Sequence, residues 1–432
     1  MSRLDKKNLY LERYADQRQL WPPDCDPDTR LFVVIPAFRE TNLLQALQSL
    51  SNCNPPGAGT EILVVINEAV DAARETTIIN QKIFQEVYNW VQKKEKSNNL
   101  HFRVSYVKDL PAKQAGVGMA RKIGMDQAIR RINTAHIPAK EAILICFDAD
   151  CACDQNYLQS IEKHFSEHPV TPGASIYYEH PLKGPEPPPL YQGIIRYESF
   201  LRYYVGGLRY AGYPHAFQTV GSSMAVRADA YQKQGGMNKR KAGEDFYFLQ
   251  KIFPLGDYSE INDTCVYPSP RISDRVPFGT GKAMQVWTNS AQNYYPVYHH
   301  EVFISLKKFI EELNNFYGAP PDCIDEILNI LPESIKAYLD ENNFKDQLKV
   351  IKNDTSTYDS FRKRFFQWFT GLKVLKYVHF ARDHYYGEED VLASVSWLLK
   401  NFYSINYTEN DPLQLLETIR KKDREYKCGI SK

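Results

Sequence analysis

The sequence lacks several features that would place it quickly in a class. No stretch approaches the ~18 consecutive apolar residues that a transmembrane helix needs, and the first eight residues contain no apolar core of a signal peptide. Neither sign of charge is in excess, since 53 Lys and Arg face 52 Asp and Glu. A general affinity for nucleic acid or for acidic membranes is therefore not expected.

Cysteine is scarce and scattered, with eight in 432 residues. Cys146 and Cys265 lie in apolar stretches, which is typical of reduced, buried thiols in a cytosolic protein. Cys151 and Cys153 have no second Cys or His pair at zinc spacing, so they are expected to be buried or idle thiols. We therefore expect a cytoplasmic protein without a transmembrane segment.

Short aliphatic runs alternate with helical patterns over the first part of the chain. The runs cover 31–35, 62–66, 101–107 and 142–147, and the helical patterns cover 41–50, 72–95, 116–131 and 154–165, the last with Asp154 as N-cap. This alternation predicts βαβ units and a mostly parallel sheet flanked by helices, an α/β fold.

The pattern changes after residue 169. The proline-rich stretch 181–189 predicts a surface loop, because proline is excluded from helix interiors and central strands. An amphipathic aromatic segment at 190–213, a strand at 222–227 and a helix from about 244 are expected next, and the pattern is helical from 300 onward.

The length predicts more than one domain. We expect an N-terminal extension over 1–30, an α/β domain over 31–295 and a helical C-terminal domain over 296–432.

The strongest chemical signal is Asp148-Ala149-Asp150, directly after an apolar run. Carboxylates at the carboxyl end of a buried strand project into the crevice where α/β sheets bind ligands. Two carboxylates this close repel each other unless a cation lies between them, and a hard divalent ion that also binds phosphate oxygens is the usual solution. The pattern predicts a metal–diphosphate site, with a solvated turn that caps the next helix as the alternative.

Several motifs in order resemble those of family 2 glycosyltransferases, which have the GT-A fold. The motifs are Phe32 to Glu40, Leu63 to Asp71, Gly116 to Gly124, Phe147 to Asp150, Gly221 to Tyr231 and Gly243 to Phe246. The resemblance covers roughly residues 31–285. It implies a donor half over 31–150 and an acceptor half over 151–295. It implies transfer of a sugar from a nucleotide-diphosphate sugar to an acceptor hydroxyl, with inversion, assisted by Mg²⁺ or Mn²⁺.

The resemblance also implies roles for individual residues. Asp245 would be the base that takes the proton of the acceptor hydroxyl, and Asp150 with Asp148 would hold the metal. Acceptor contacts are expected from Glu244, Gly221 and Ser222. Nucleotide-sugar contacts are expected from Pro36, Ala37, Glu40, Asn67, Arg121 and Asp148. Asn67 stands where the family often has Asp facing the base, and Glu68 is an alternative for that contact.

A basic segment over 268–282 is a further candidate for the donor site. Arginine can bind a diphosphate through two parallel hydrogen bonds, so Arg271, Arg275 and Lys282 are candidate phosphate contacts, with a plain surface turn as the alternative. The segment is not a Walker A motif, because Ala283 follows Gly281-Lys282.

Two other functions stay open. A sugar-phosphate nucleotidyltransferase would need a Gly-rich, basic signature after the first strand, where this chain has Ile-Pro-Ala-Phe-Arg-Glu over 35–40. A non-catalytic member that binds nucleotide or glycan would keep the fold. The acceptor, whether glycan, lipid or small molecule, and the oligomeric state are not determined by the sequence.

Overall fold

The computed structural model describes residues 8–94, 99–273, 275, 279–290, 294–408 and 411–426. Residues 274 and 276–278 of the predicted basic segment lie outside this part. The described residues form two compact units, one within 8–181 and 219–282, the other within 182–218 and 283–426. Neither unit is continuous in sequence, and the predicted division between 31–295 and 296–432 stays a prediction.

The first unit is built on an eight-stranded sheet. Its strands are β1 (Thr29–Ala37), β2 (Gly59–Ala69), β3 (Leu100–Leu110), β4 (Ile143–Cys146), β5 (Ala152–Cys153), β6 (Gly173–Tyr178), β7 (Met224–Arg227) and β8 (Ser259–Tyr267). Their order is β3-β2-β1-β4-β7-β6-β8-β5. The strands from β3 to β4 are parallel, and β7 runs antiparallel to both of its neighbours. The sheet is therefore mixed.

Helices flank this sheet. They are α1 (Leu9–Arg13), α2 (Leu43–Ser51), α3 (Arg74–Lys93), α4 (Val117–Thr134), α5 (Tyr157–Glu167), α7 (Ala228–Lys233) and α8 (Glu244–Ile252). α4 packs on β1 and β2, α3 on β2 and β3, and α5 on β8. β1 and β2 are buried along almost their whole length, which explains their unbroken aliphatic sequences.

The second unit is mainly helical. Its elements are α6 (Pro188–Tyr210), β9 (Pro296–Tyr298), α10 (Glu301–Glu311), α11 (Leu313–Gly318), α12 (Ile324–Asn329), α13 (Glu333–Glu341), α14 (Phe344–Asn353), α15 (Tyr358–Trp368), α16 (Gly371–Ala381), β10 (Glu388–Asp390), α17 (Val391–Asn401) and α18 (Pro412–Glu425). A further helix, α9 (Thr280–Thr288), runs across residue 282, where the first unit ends. The core of the second unit is rich in phenylalanine, including Phe309, Phe344 and Phe365.

The predicted fold class, a helix-flanked α/β sheet with a helical C-terminal region, is confirmed. All four predicted strands of the donor half are present as β1 to β4, and the helices between them are α2, α3 and α4. Among the described residues, no helix is both long enough and apolar enough to span a membrane.

Two local predictions are wrong. The N-cap of α5 is Asn156, because the Asp154 carboxylate instead accepts a hydrogen bond of 2.9 Å from Tyr267 on β8. The stretch 181–189 is not all loop, since α6 begins at Pro188. Proline fits the first turn of a helix, where its missing N–H would have no partner.

A buried ion pair fastens α4 to the sheet. Arg131 on α4 donates from Nη2 to Glu61 Oε1 on β2 at 2.5 Å and from Nε to Oε2. Each residue is only 1% exposed. Arg103 on β3 donates to the same carboxylate at 3.2 Å. The pair thus ties α4, the helix that also carries Arg121, to β2.

We expect Glu61→Gln to destabilise the protein by about 3–5 kcal/mol, because it leaves a buried guanidinium without its counter-charge. The exposed pair of Arg30 and Glu141, 3.4 Å apart, supplies the control. Glu141→Gln should change the free energy of unfolding by about 1 kcal/mol or less. Urea unfolding measures both. Equal losses in the two variants would contradict the importance of the buried pair.

Candidate active site

Arg121 joins the two acidic motifs. Its side chain is 2% exposed, and its guanidinium donates from Nη2 to Asp148 Oδ1 and from Nη1 to Glu244 Oε1. These partners lie 27 and 123 residues away in the chain. Burial alone would lower the pKa of Arg121, but the two carboxylates raise it overall, so the group is a fixed cation. The structure thus brings the predicted donor and acceptor motifs into one cluster.

The contact to Glu244 depends on a close approach at Gly118, one turn before Arg121 on α4. A Cβ at Gly118 would lie 2.3 Å from Arg240 O and 3.0 Å from Glu244 Cβ. Only glycine lets the loop before α8 come this near to α4. Glu244 and Asp245 then occupy the first turn of α8, where the helix dipole favours negative charge.

Gly221 lies against the same cluster because β7 pairs with β4, with Met224 opposite Cys146. A Cβ at Gly221 would lie 2.7 Å from both Nη atoms of Arg121 and 2.9 Å from Asp245 Oδ2. Ser222 is 2% exposed, with its Oγ 3.4 Å from Ser223 Oγ. Of the predicted acceptor residues, Gly221 therefore packs beside Asp245, and Ser222 is buried.

A second cluster surrounds Asp150. Arg271 donates from Nη2 to Asp150 Oδ2 at 2.9 Å and also bonds Glu40. Arg275 donates to Glu40 Oε2 at 2.6 Å and has Nη2 3.6 Å from Asp150 Oδ2. Two of the three predicted phosphate contacts, Arg271 and Arg275, thus lie at Asp150, where they bind carboxylates.

The two clusters carry an excess of negative charge. The carboxylates of Glu40, Asp148, Asp150, Glu244 and Asp245 face the guanidinium groups of Arg121, Arg271 and Arg275. Five acids against three bases leave two negative charges unbalanced when all are ionised. Burial raises the pKa of Glu244 to about 7 and also raises the pKa of Asp150 and Asp245. Such a site would be stabilised by a divalent cation.

The donor atoms present fit that cation. Among the described residues, none donates a hydrogen bond to Asp148 Oδ2, and Asp150 Oδ1 has only the Cys151 thiol at 4.0 Å. No third His, Cys, Asp or Glu of the described chain completes a metal-sized group with these two. Mg²⁺ and Mn²⁺ keep few protein ligands and fill their shells with phosphate and water, so Asp148 and Asp150 would be the residues that hold such an ion.

Another possible ligand group lies in the second unit. Ligand atoms of His299, His300 and Glu389 all lie within 4.8 Å of one another. His300 Nδ1 is 3.1 Å from Glu389 Oε2, and Ser394 donates to the same oxygen at 2.7 Å. The carboxylate is therefore already paired without an ion.

The predicted nucleotide-binding residues lie at the end of the parallel strands. Pro36 and Ala37 close β1, opposite Val65 and Ile66 of β2, and Asn67 follows Ile66. The parallel register places this end beside the segment that follows β4, where Asp148 lies.

Glu68, the alternative to Asn67, is held by three side chains. Its carboxylate accepts hydrogen bonds from Thr77 at 2.7 Å, Asn80 at 3.0 Å and Tyr106. Burial would raise the pKa of Glu68, but these donors lower it overall. The carboxylate is engaged in the fold, so Asn67 is the better candidate for reading a base.

The pairing of these groups with one another is not evident from the sequence. The sequence predicts Arg271 and Arg275 as phosphate contacts, and Arg121 as a nucleotide contact or a surface ion pair, without identifying Asp148, Asp150 or Glu40 as partners. One signal was available, since five acids at a single site need counter-charges from the same chain.

Comparisons with known proteins give a weak likeness. No protein-family model matches the chain, and no curated protein matches it. Among solved structures, residues 1–349 of Staphylococcus aureus TarS in complex with UDP-GlcNAc align with a TM-score of 0.42 and 14% identity, over 79% of this chain and 92% of that one. The same fragment in complex with UDP aligns with a TM-score of 0.40 and 14% identity, over 79% of this chain and 91% of that one. At these TM-scores the likeness carries no argument about fold or function.

Glu244 should make stability fall as pH rises from 4.5 to about 7. Its pKa in the folded protein is about 7 against 4.5 for a free side chain, so the native state binds the extra proton in this interval. Glu244→Gln should remove this part of the pH dependence, measured as the free energy of urea unfolding across the interval. Exposed Glu75 supplies the control. If Glu75→Gln flattens the profile as much as Glu244→Gln does, the assignment to Glu244 is wrong.

Proposed function

We propose that this chain is a metal-assisted, inverting glycosyltransferase of the GT-A type, resembling family 2, that acts in the cytoplasm. It would move a sugar from a nucleoside-diphosphate sugar to an acceptor hydroxyl. The observation that carries the proposal is the convergence of Asp148, Glu244 and Asp245 around Arg121. An ordinary pair of helix-capping turns would not need a shared, buried guanidinium.

The donor side would use the cluster around Asp150. Asp150 and Asp148 would hold Mg²⁺ or Mn²⁺, which supplies positive charge to a diphosphate leaving group. Arg271 and Arg275 now share Glu40 and Asp150. A diphosphate competes well for such planar donors, so we infer that these arginines exchange a carboxylate for phosphate oxygens when the donor binds. Asn67 would face the base.

The acceptor side would use Asp245. Its Oδ1 accepts the N–H of Phe246 at 2.7 Å, while Oδ2 points towards Gly221. Burial raises the pKa of this carboxyl, which suits a general base. Proton removal by one carboxylate, with direct attack on the anomeric carbon, gives inversion. Glu244 is turned towards Arg121 and buried, so it would position Arg121 in addition to its predicted acceptor contact.

Donor binding can be tested without knowing the acceptor. We expect one of UDP, GDP, ADP or CDP to bind in isothermal titration with Mn²⁺ and to bind weakly without it. Asp150→Asn should weaken binding by at least ~10-fold, the loss that even outer-shell metal partners cause. Exposed Asp263→Asn is the matched control and should bind normally. Absence of metal-dependent binding by every nucleotide would refute the donor site.

The base can be tested separately. Asp245→Asn should keep nucleotide affinity and lower transfer by roughly 10²–10⁴-fold, the usual contribution of a general base. Release of the nucleoside diphosphate from its sugar conjugate, with a panel of glycan acceptors, measures transfer. Normal transfer by this variant would show that another group takes the proton. Donor binding without transfer in the wild type would favour a non-catalytic binding protein.

A further inference from the structure

Two cysteines that are distant in sequence meet beside the Asp150 cluster. The Sγ atoms of Cys53 and Cys153 are 3.6 Å apart, although the residues are 100 positions apart in the chain. Cys53 follows the end of α2 and is 5% exposed, while Cys153 lies on β5 and is half-buried. Both belong to the first unit.

Contacts with Ser49 and Asp154 hold the two sulfur atoms next to each other. The Cys153 backbone N–H donates to Ser49 Oγ at 2.9 Å, and the same hydroxyl lies 3.6 Å from Cys153 Sγ. Cys53 Sγ lies 3.6 Å from Ser49 O and 3.7 Å from Asp154 O. A disulfide needs its sulfurs about 2.05 Å apart. Side-chain rotation within this packed setting could supply the remaining approach.

The two thiols also differ in acidity. The hydrogen bond from the Cys153 thiol lowers the pKa of Cys53 against the opposing effect of burial, and the same bond and burial raise the pKa of Cys153. Cys53 is therefore the more acidic thiol of the two, and the thiolate is the nucleophilic form of a cysteine. Cys151, on the same loop, differs, since burial raises its pKa and keeps it protonated.

We propose that Cys53 and Cys153 form a redox-active dithiol that a peroxide converts into an intramolecular disulfide. The Cys53 thiolate attacks one peroxide oxygen and becomes a sulfenic acid, while the other oxygen leaves and is protonated to water. The Cys153 sulfur then attacks the Cys53 sulfur, and the sulfenic oxygen leaves as a second water. Two thiols are oxidised and one hydrogen peroxide is reduced to two waters.

Cys153 lies three residues after Asp150, so a disulfide at Cys153 would affect the segment that carries Asp148 and Asp150. β5 begins two residues after Asp150 and pairs with the end of β8, where Cys153 stands opposite Val266. A Cys53–Cys153 bond would tie the end of α2 to the strand that follows the Asp148–Asp150 loop. The proposal itself concerns thiol chemistry and does not depend on glycosyl transfer.

The test is oxidation of the folded, full-length chain with stoichiometric hydrogen peroxide, followed by thiol counting and peptide mapping without reductant. We expect the number of free thiols to fall by two, one peptide pair containing Cys53 and Cys153 to appear, and dithiothreitol to restore both thiols. Cys53→Ser and Cys153→Ser should abolish the linked pair. Cys323→Ser, at a half-buried cysteine of the second unit, should retain it.

The peptide map of the oxidised wild-type protein tests the Cys53–Cys153 linkage even if a serine variant folds poorly. A linkage of Cys53 or Cys153 to any other cysteine would overturn the proposal, and so would a linkage between two chains. Loss of other thiols while Cys53 and Cys153 stay reduced would overturn it as well. An unchanged linkage in Cys53→Ser would show that the mapped pair was misassigned.

Discussion

The buried guanidinium of Arg121 is the constraint on which the rest of the site depends. Taking this charge out of water is costly, and only carboxylates held close on fixed elements offset the cost. Asp148 comes from the segment after β4 and Glu244 from the first turn of α8. The ion pairs therefore join the central strand, α4 and α8. Gly118 and Gly221 are glycines because nothing larger fits between these parts.

The same electrostatic requirement extends to Asp150. The sequence predicts a cation between Asp148 and Asp150. In the structure each carboxylate is paired with a guanidinium, Asp148 with Arg121 and Asp150 with Arg271. The negative charge that remains still suits a divalent ion. A guanidinium binds phosphate and carboxylate through the same pair of parallel N–H donors. An arginine that is paired with a carboxylate can therefore exchange it for a phosphate group of a ligand.

The alternation of aliphatic runs and helical patterns was enough to predict β1 to β4 and the helices between them. β1, β2 and β4 are buried almost throughout, so their aliphatic composition identifies them, whereas β3 is largely half-buried. A strand was predicted at 222–227, where β7 lies, but its antiparallel direction could not be, because strand direction depends on the path of the chain between strands. The prediction that Asp154 caps α5 is wrong for a related reason, because its hydrogen-bond partner Tyr267 is 113 residues away in the chain.

Local periodicity and residue type were enough to predict the α/β class, the position of Asp148 and Asp150 at a strand end, and the acids at the start of α8. The contacts of Arg121 with both acidic motifs, of Arg271 and Arg275 with Glu40, and of Cys53 with Cys153 became visible only in the folded chain. Pairings of this kind depend on strand order and helix packing, and neither is encoded in the spacing of the residues that meet.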